Sequence, residues 1–300
     1  MANCFVSTVR IVVLLLAAAN VFSLQAAEIP TATPEDVGMS SQKLARVDET
    51  LEGMVEQKRL AGGTVVIARR GKIVHFKSYG LADIEKQRPM KNDAIMRFYS
   101  MSKAITSAAV MILADEGKLD VNDAVSKHIP ELAGVKVATA EGLVASKREV
   151  TIADLLRHTA GYTYGGSPQA ASDAAFRKAD PLDYQRTVGQ MSERLADVPL
   201  AFQPGEDWNY GISIDVLGRV IEVASGQKLD TFLKQRIFKP LGMKDTGFFV
   251  PENKHDRFAQ VYNSDGKGKL TVGDNEGGRN FAKPRAFLSG GGGLVSTARD

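Results

Sequence analysis

Cysteine is all but missing from this chain. The single one, Cys4, stands in an N-terminal stretch that reads as a removable leader, so the mature chain has no thiol for a disulfide, a nucleophile or a metal. Thiol proteases and zinc–thiolate centres are thereby excluded. Histidine is sparse as well: His75, His128, His158 and His255 are widely spread, and none forms the His-Glu-x-x-His spacing that sets two imidazoles on one helical face. No metal site and no cofactor are indicated. Neither sign of charge dominates, since 38 Lys plus Arg stand against 35 Asp plus Glu, both scattered. A chain without a basic stripe does not track a phosphate backbone, so nucleic acid is not an expected partner. A long apolar run is also lacking. Ile11 to Ala19 is too short to cross a bilayer comfortably. With Arg10 before it and the small residues of Ser23 to Ala27 after it, the run reads as a signal peptide over residues 1–27. Export to the periplasm or medium is expected, with no stable membrane span after cleavage.

What is present is a globular balance: 300 residues, 44% hydrophobic and 24% charged. Pro30 to Pro34 read as an extended arm. Ser40 or Ser41 caps a helix through Leu44, Val47, Leu51 and Met54. Gly62-Gly63 then opens Thr64 to Ala68, Gly71 supplies a turn, and Ile73 to Tyr79 alternate, which predicts a β-hairpin. From Ser100 the pattern turns helical. Ala104, Ile105, Ala108, Ala109, Met111, Ile112, Leu113 and Ala114 predict a helix apolar nearly all round and central to the protein, ending near Gly117. Thr151 with Asp154 forms a capping box for a helix ended near Gly161, and Ile214 to Ala224 predict another, stopped by Gly226. Gly161 to Asp173 read as a loop. Gly290 to Gly293 lack the Gly-Lys-Ser/Thr ending of a phosphate loop and point to close backbone approach instead. Thr297 to Asp300 have the form of a capping box, which reads as a helix start at the chain's end and as a fold cut short.

The tetrad Ser-x-x-Lys occurs at Ser40, Ser100, Ser225 and Ser264. Three of these have local explanations as a helix cap, a helix end and a polar turn. Ser100 differs. It follows Phe98-Tyr99 and opens the apolar helix, which places its hydroxyl at a helix N-terminus inside the protein, where the dipole favours developing negative charge. Lys103 lies one turn on, on the same face. A lysine is protonated at its reference pKa of about 10.4, and burial beside an apolar helix would push that value toward neutrality and let it act as a base. The tetrad alone reads more simply as a cap followed by a lysine that reaches solvent, since helix caps are common.

The segment Pro204 to Gly218 supplies the second element, with Trp208-Asn209-Tyr210 delivering a phenol just before a helix. With Phe98-Tyr99-Ser100-Met101-Ser102-Lys103 as a first motif and Trp208-Asn209-Tyr210 opening a second, the chain from Ile29 to Asp300 resembles the serine β-lactamase and DD-peptidase superfamily. It looks most like the class C-like branch that includes the family VIII carboxylesterases. Leu155 to Gly161, Pro240 to Gly247 and Gly290 to Asp300 are similar to connecting segments of that family.

The resemblance implies an α/β plus all-α architecture of the β-lactamase/transpeptidase-like kind: an antiparallel sheet flanked by helices, with a mainly helical portion over about 100–281. Residues 28–300 would form one incomplete hydrolase domain, with its last strands missing and its site between the two portions. Ser100 is implied as nucleophile, with Lys103 and Tyr210 as the proton-transfer pair. The Ser100 N–H would give one oxyanion donor, the second lying beyond Asp300. His158 is implied to be structural, and no Gly-x-Ser-x-Gly elbow supports a Ser-His-Asp triad. Two residues after Tyr210, where lactamases and peptidases of the superfamily carry Asn, stands Ile212. Tyr210 to Asp215 match the Tyr-x-x-x-x-Asp spacing of the esterase branch. The expectation is a serine hydrolase with an acyl-enzyme, most simply a carboxylesterase on small esters. A β-lactamase, a D-amino-acid peptidase or an acyltransferase of the same fold remain alternatives, as does a non-catalytic cell-wall binding or sensor protein. A small ester or amide is the expected partner.

Overall fold

The computed structural model describes residues 28–167, 169–273 and 280–300. The leader expected over residues 1–27 lies outside the described residues. Among the described residues no helix is long and apolar enough to cross a membrane.

The extended arm pairs with the first hairpin, Ala32 N–H donating to Ile73 O and Ile73 N–H to Pro30 O. Helix α1 (Ser41–Glu56) starts as expected, the Ser40 hydroxyl accepting from Lys43 N–H. Strands β1 (Gly62–Arg69) and β2 (Lys72–Asp83) form the predicted hairpin, pairing antiparallel from Gly62 opposite Gly80 to Arg69 opposite Lys72 with a register shift between Ile67 and Ala68. The two-residue strand β3 (Arg88–Pro89) extends it to an antiparallel three-stranded sheet. Leu44, Val47, Leu51 and Met54 of α1 are half-buried, and α1 lies against β2.

Strand β4 (Met96–Arg97) leads into a 3-10 turn, Tyr99–Met101, and then helix α2 (Ser102–Asp115). One expectation needs correction here. Only Ser102, Thr106, Ala109, Val110 and Leu113 of α2 are buried, whereas Ala104, Ala108 and Met111 are exposed. Alanine is a helix former that suits either face, so an Ala-rich pattern overstates how much of a helix is enclosed.

The hairpin β5 (Val137–Thr139) and β6 (Gly142–Val144) precedes α3 (Ile152–Arg157), whose Thr151–Asp154 capping box forms as predicted. That helix stops at His158, which adopts a left-handed φ of 58°, three residues before the glycine expected to end it. Helix α4 (Ala171–Ala179) begins inside the stretch predicted as loop, so Ser172 and Asp173 are helical and buried. Helices α5 (Val188–Leu195), α6 (Ser213–Ser225) and α7 (Leu229–Leu233) follow, and α7 runs on as a π turn to Phe238. Gly226, at φ 69°, closes α6 as expected. A second small hairpin, β7 (Tyr262–Ser264) with β8 (Leu270–Val272), precedes β9 (Val295–Ser296), which pairs with β4.

Helix α6 is the axis of the main core. Its Ile214, Val216, Leu217, Val220 and Ile221 join Ala109, Val110 and Leu113 of α2, Leu155 of α3, Met191 of α5 and Phe232 of α7. Burial on this scale drives the helices together, each large side chain contributing about 1.5–3 kcal/mol. A smaller cluster of Ile95, Val250, Phe281 and Val295 sits beside the β4–β9 pair.

Candidate active site

Ser100 is carried by a short strained turn. Tyr99, immediately before it, has φ +44°, a conformation that costs a non-glycine residue about 1–2 kcal/mol and persists only when its surroundings impose it. Those surroundings are visible. Strands β4 and β9 pair just upstream, Phe98 N–H donates to Leu294 O at 2.9 Å, and Leu294 N–H donates to the buried Ser102 hydroxyl at 3.0 Å. The turn is thus tied to the chain that follows the four glycines. Ser100 lies inside this 3-10 turn and is exposed, where the sequence pointed to a hydroxyl enclosed at the α2 cap.

The three residues singled out from sequence converge on one oxygen. Lys103 Nζ donates to Ser100 Oγ at 3.3 Å, and the Tyr210 hydroxyl donates to the same Oγ at 2.5 Å. Lys103 is half-buried, so the dry core expected around it is replaced by partners: its Nζ also donates to Gly291 O at 2.7 Å and lies 4.6 Å from the Tyr210 ring centre. Burial would raise the Tyr210 phenol, but hydrogen bonding with Lys103 and Ser100 and the Lys103 charge outweigh it and hold the group below its ordinary value. The other Ser-x-x-Lys tetrads have the local roles expected of them. Ser40 caps α1, Ser225 accepts from Gln227 N–H at the end of α6, and Ser264 accepts from Gly266 N–H in a turn.

His158 braces Tyr210 from both sides. Its carbonyl accepts from Asn209 N–H at 3.0 Å, its Nδ1 accepts from Gly211 N–H at 3.4 Å, and its ring lies 4.9 Å from the Tyr210 ring. Accepting at Nδ1 puts the imidazole proton on Nε2. Burial, helped by the Lys103 charge, moves the imidazole below its usual range and favours the neutral form this bond requires. The Nδ1 of the histidine is thus taken up by a backbone N–H of the turn that carries Tyr210. Gly211 packs so close to the next segment that a Cβ there would meet Tyr162 O at 2.3 Å, which keeps the turn carrying Tyr210 compact.

A cavity of about 330 Å³ opens beside Ser100, lined by Tyr99, Lys103, Tyr164, Leu182 and Tyr184 on one part and by Asp215, Ser289, Gly291 and Gly292 on the other. No residue of β1, β2 or β3 is among these lining residues, which come from the helical portion and the glycine run. Among the described residues the lining holds no Asn or Gln, and Ile212 is fully buried in the main core. Sequence reading passed over Tyr164 and Ser289, took Gly291 only as part of a tight backbone approach, and used Asp215 only as a spacing. Their contacts with Lys103 and with one another cross from 51 to 188 residues, and no local pattern signals them. The tight approach inferred for Gly290 to Gly293 is present: a Cβ on Gly291 would stand 2.4 Å from Asp215 Oδ2 and one on Gly293 2.7 Å from Ser289 O.

With this geometry in view, comparison with known proteins is informative. The Beta-lactamase family profile matches residues 47–300. The chain belongs to the beta-lactamase family. Among curated relatives, Esterase EstB of Burkholderia gladioli is 34% identical over 272 residues, covering 85% of this chain and 67% of that one. An uncharacterised protein of Mycobacterium tuberculosis is 34% identical over 246 residues, covering 80% of this chain and 60% of that protein. The chain thus spans about 60–67% of the length of these beta-lactamase-family relatives. Among solved structures, EstCE1, described as a hydrolase with promiscuous acyltransferase activity, superposes with TM-score 0.74 at 29% identity, over 86% of this chain and 70% of that one. A class C beta-lactamase from Rhodobacter sphaeroides shares the fold with TM-score 0.60 at 23% identity, over 84% of this chain and 62% of its own. The mixed α/β beta-lactamase fold and the kinship with esterases expected from the motifs are both supported.

Proposed function

We propose that this protein is a serine hydrolase working through an acyl-enzyme, and that its substrates are small carboxylic esters. The observation that carries the reading is the convergence of Tyr210 OH and Lys103 Nζ on the exposed Ser100 Oγ at the lip of the cavity. Ser100 Oγ attacks the ester carbonyl carbon as its proton passes to the Lys103–Tyr210 pair. The tetrahedral adduct collapses, the C–O bond to the alcohol breaks, and the pair returns the proton to the departing oxygen. Water then attacks the acyl carbonyl carbon, losing a proton to the same pair, and the acid leaves as the bond from that carbon to Ser100 Oγ breaks and the pair returns the proton to Oγ. Two groups this close titrate together, so the proton belongs to the pair.

Preference for esters rests on the lining. A β-lactam or peptide carries an acylamino group whose amide needs hydrogen-bonding partners, and a site leaving such groups unpaired rejects them. Among the described residues the cavity wall carries three tyrosine rings, a leucine, the glycine backbone and the side chains of Ser100, Lys103, Asp215 and Ser289, which are engaged with one another, and no side-chain amide. The similarity to Esterase EstB supports the same reading. We also propose export, resting on Arg10 and the short apolar run Ile11 to Ala19. N-terminal sequencing of the protein recovered from the periplasm or medium checks this: a start near residue 28 supports it, and an intact Met1 contradicts it.

The test of function is hydrolysis of a short-chain nitrophenyl ester beside a chromogenic cephalosporin, with wild type and Ser100→Ala. Ester turnover abolished by the substitution, with the cephalosporin untouched, is expected. Cephalosporin turnover would assign a lactamase. Full ester activity in Ser100→Ala would overturn the nucleophile.

A further inference from the structure

We propose that Asp215 is a positioning residue that governs Lys103 through a chain of hydrogen bonds crossing the Gly291–Gly292 peptide. Lys103 Nζ donates to Gly291 O at 2.7 Å. The N–H of that same peptide, on Gly292, donates to Ser289 Oγ at 3.0 Å, and the Ser289 hydroxyl donates to Asp215 Oδ1 at 2.5 Å. A cation at one end is thus joined to a carboxylate at the other through one peptide and one hydroxyl. Each link in such a chain polarises the next when water is excluded.

Further contacts define the state of the carboxyl group. Gly291 N–H donates to Asp215 Oδ1 at 3.0 Å and the Tyr164 hydroxyl donates to Oδ2 at 3.3 Å. Three donors converging on two oxygens suit an ionised carboxylate, because a protonated one would have to donate in turn. Burial holds the Asp215 carboxyl above its ordinary value, and Ser289, Gly291, the Lys103 charge and Tyr164 pull it only part of the way back. Tyr164 is raised by burial and by Asp215, so it stays a neutral donor. Asp215 is 1% exposed, and an unpaired anion buried that deeply would be costly. The groups facing Lys103 are the Tyr210 ring at 4.6 Å, the Tyr164 ring at 5.8 Å, the Ser100 hydroxyl and the neutral His158. Among the described residues, Asp215 is the one acidic residue that lines the cavity. The ammonium therefore has one charge-balancing partner there, reached through the glycine turn.

This proposal rests on Lys103 being half of the proton-transfer pair, but its test does not require turnover. The lysines of the full-length protein are dimethylated with carbon-13, and the Lys103 signal, assigned by its loss in Lys103→Arg, is followed against pH by NMR. Removing the distant negative charge destabilises the ammonium, so in Asp215→Asn the Lys103 signal is expected to titrate about one pH unit lower than in wild type. Ser289→Ala, which breaks the chain but keeps the charge, moves it the same way by less, and Ser289→Thr, which keeps the hydroxyl, restores the wild-type midpoint. An unchanged midpoint in Asp215→Asn and Ser289→Ala, both melting cooperatively, overturns the proposal. Should Asp215→Asn fail to fold, Ser289→Ala against Ser289→Thr decides alone. Ester turnover of the unmethylated protein judges the hydrolase reading separately, since its absence in wild type would leave the titration result standing.

Discussion

Two donors hold the Ser100 oxygen, and they differ in what they can give up. Tyr210→Phe removes the hydroxyl 2.5 Å from Oγ but leaves the ring against His158, so kcat for an ester is expected to fall by about 10²–10⁴-fold with little change in melting temperature. Lys103→Arg keeps a positive charge on a group that does not deprotonate in proteins, so steady-state kinetics should show a loss of at least about 10²-fold. Activity near wild type in Lys103→Arg would mean the lysine acts by charge alone. These three residues were legible because Ser-x-x-Lys and Trp-Asn-Tyr are local strings whose flanks agree with one family. The groups that hold them were not. Asp215 reaches Ser289 across 74 residues and Lys103 reaches Gly291 across 188, and neither contact leaves a pattern in the chain between. His158 was legible as structural, but its two bonds around Tyr210 could be seen only once α3 and the turn before α6 were side by side.

At the scale of elements, α3 matters beyond its six residues because its left-handed end supplies His158. Asp154 anchors it, accepting from the Thr151 N–H and hydroxyl, the Thr159 hydroxyl and both Arg148 Nη atoms. Burial opposes the charge on this carboxylate, but Arg148, Thr151 and Thr159 prevail and bring its pKa down to about 2. A folded-state value below the unfolded one of about 3.9 stabilises the fold above pH 4, and that stability is lost as pH falls toward 2. Asp154→Asn is therefore expected to be less stable by about 2 kcal/mol at pH 6, in denaturant titrations, with the gap closing between pH 4 and pH 2. A gap independent of pH would contradict the ion-pair account. Thr151→Ala removes the other half of the capping box and should cost about 1 kcal/mol. Helices α1 and α6 and the β1–β2 hairpin were legible because their apolar spacing and glycines lie close together in sequence. The hairpins β5–β6 and β7–β8 were not, since three-residue strands with mostly exposed side chains carry no periodicity.

Across the whole molecule, the sheet and the helical portion were both expected, and both are present. The described walls of the cavity come from α2, α6, the intervening loops and the glycine run. The strained Tyr99 turn is held by β4 and β9 from opposite ends of that portion, so distant parts of the chain meet at Ser100. Core truncation should therefore be felt at the site: Leu217→Ala, in the middle of α6, is expected to lose about 2–5 kcal/mol of stability by denaturant unfolding. The central claim is that Ser100 carries the acyl group. Intact-mass and peptide mass spectrometry after rapid acid quench of the protein mixed with a nitrophenyl ester tests it most directly. The account predicts one added acyl group on the peptide containing Ser100, absent from Ser100→Ala. Acylation of another residue, or steady turnover with no acyl group on Ser100, would contradict it.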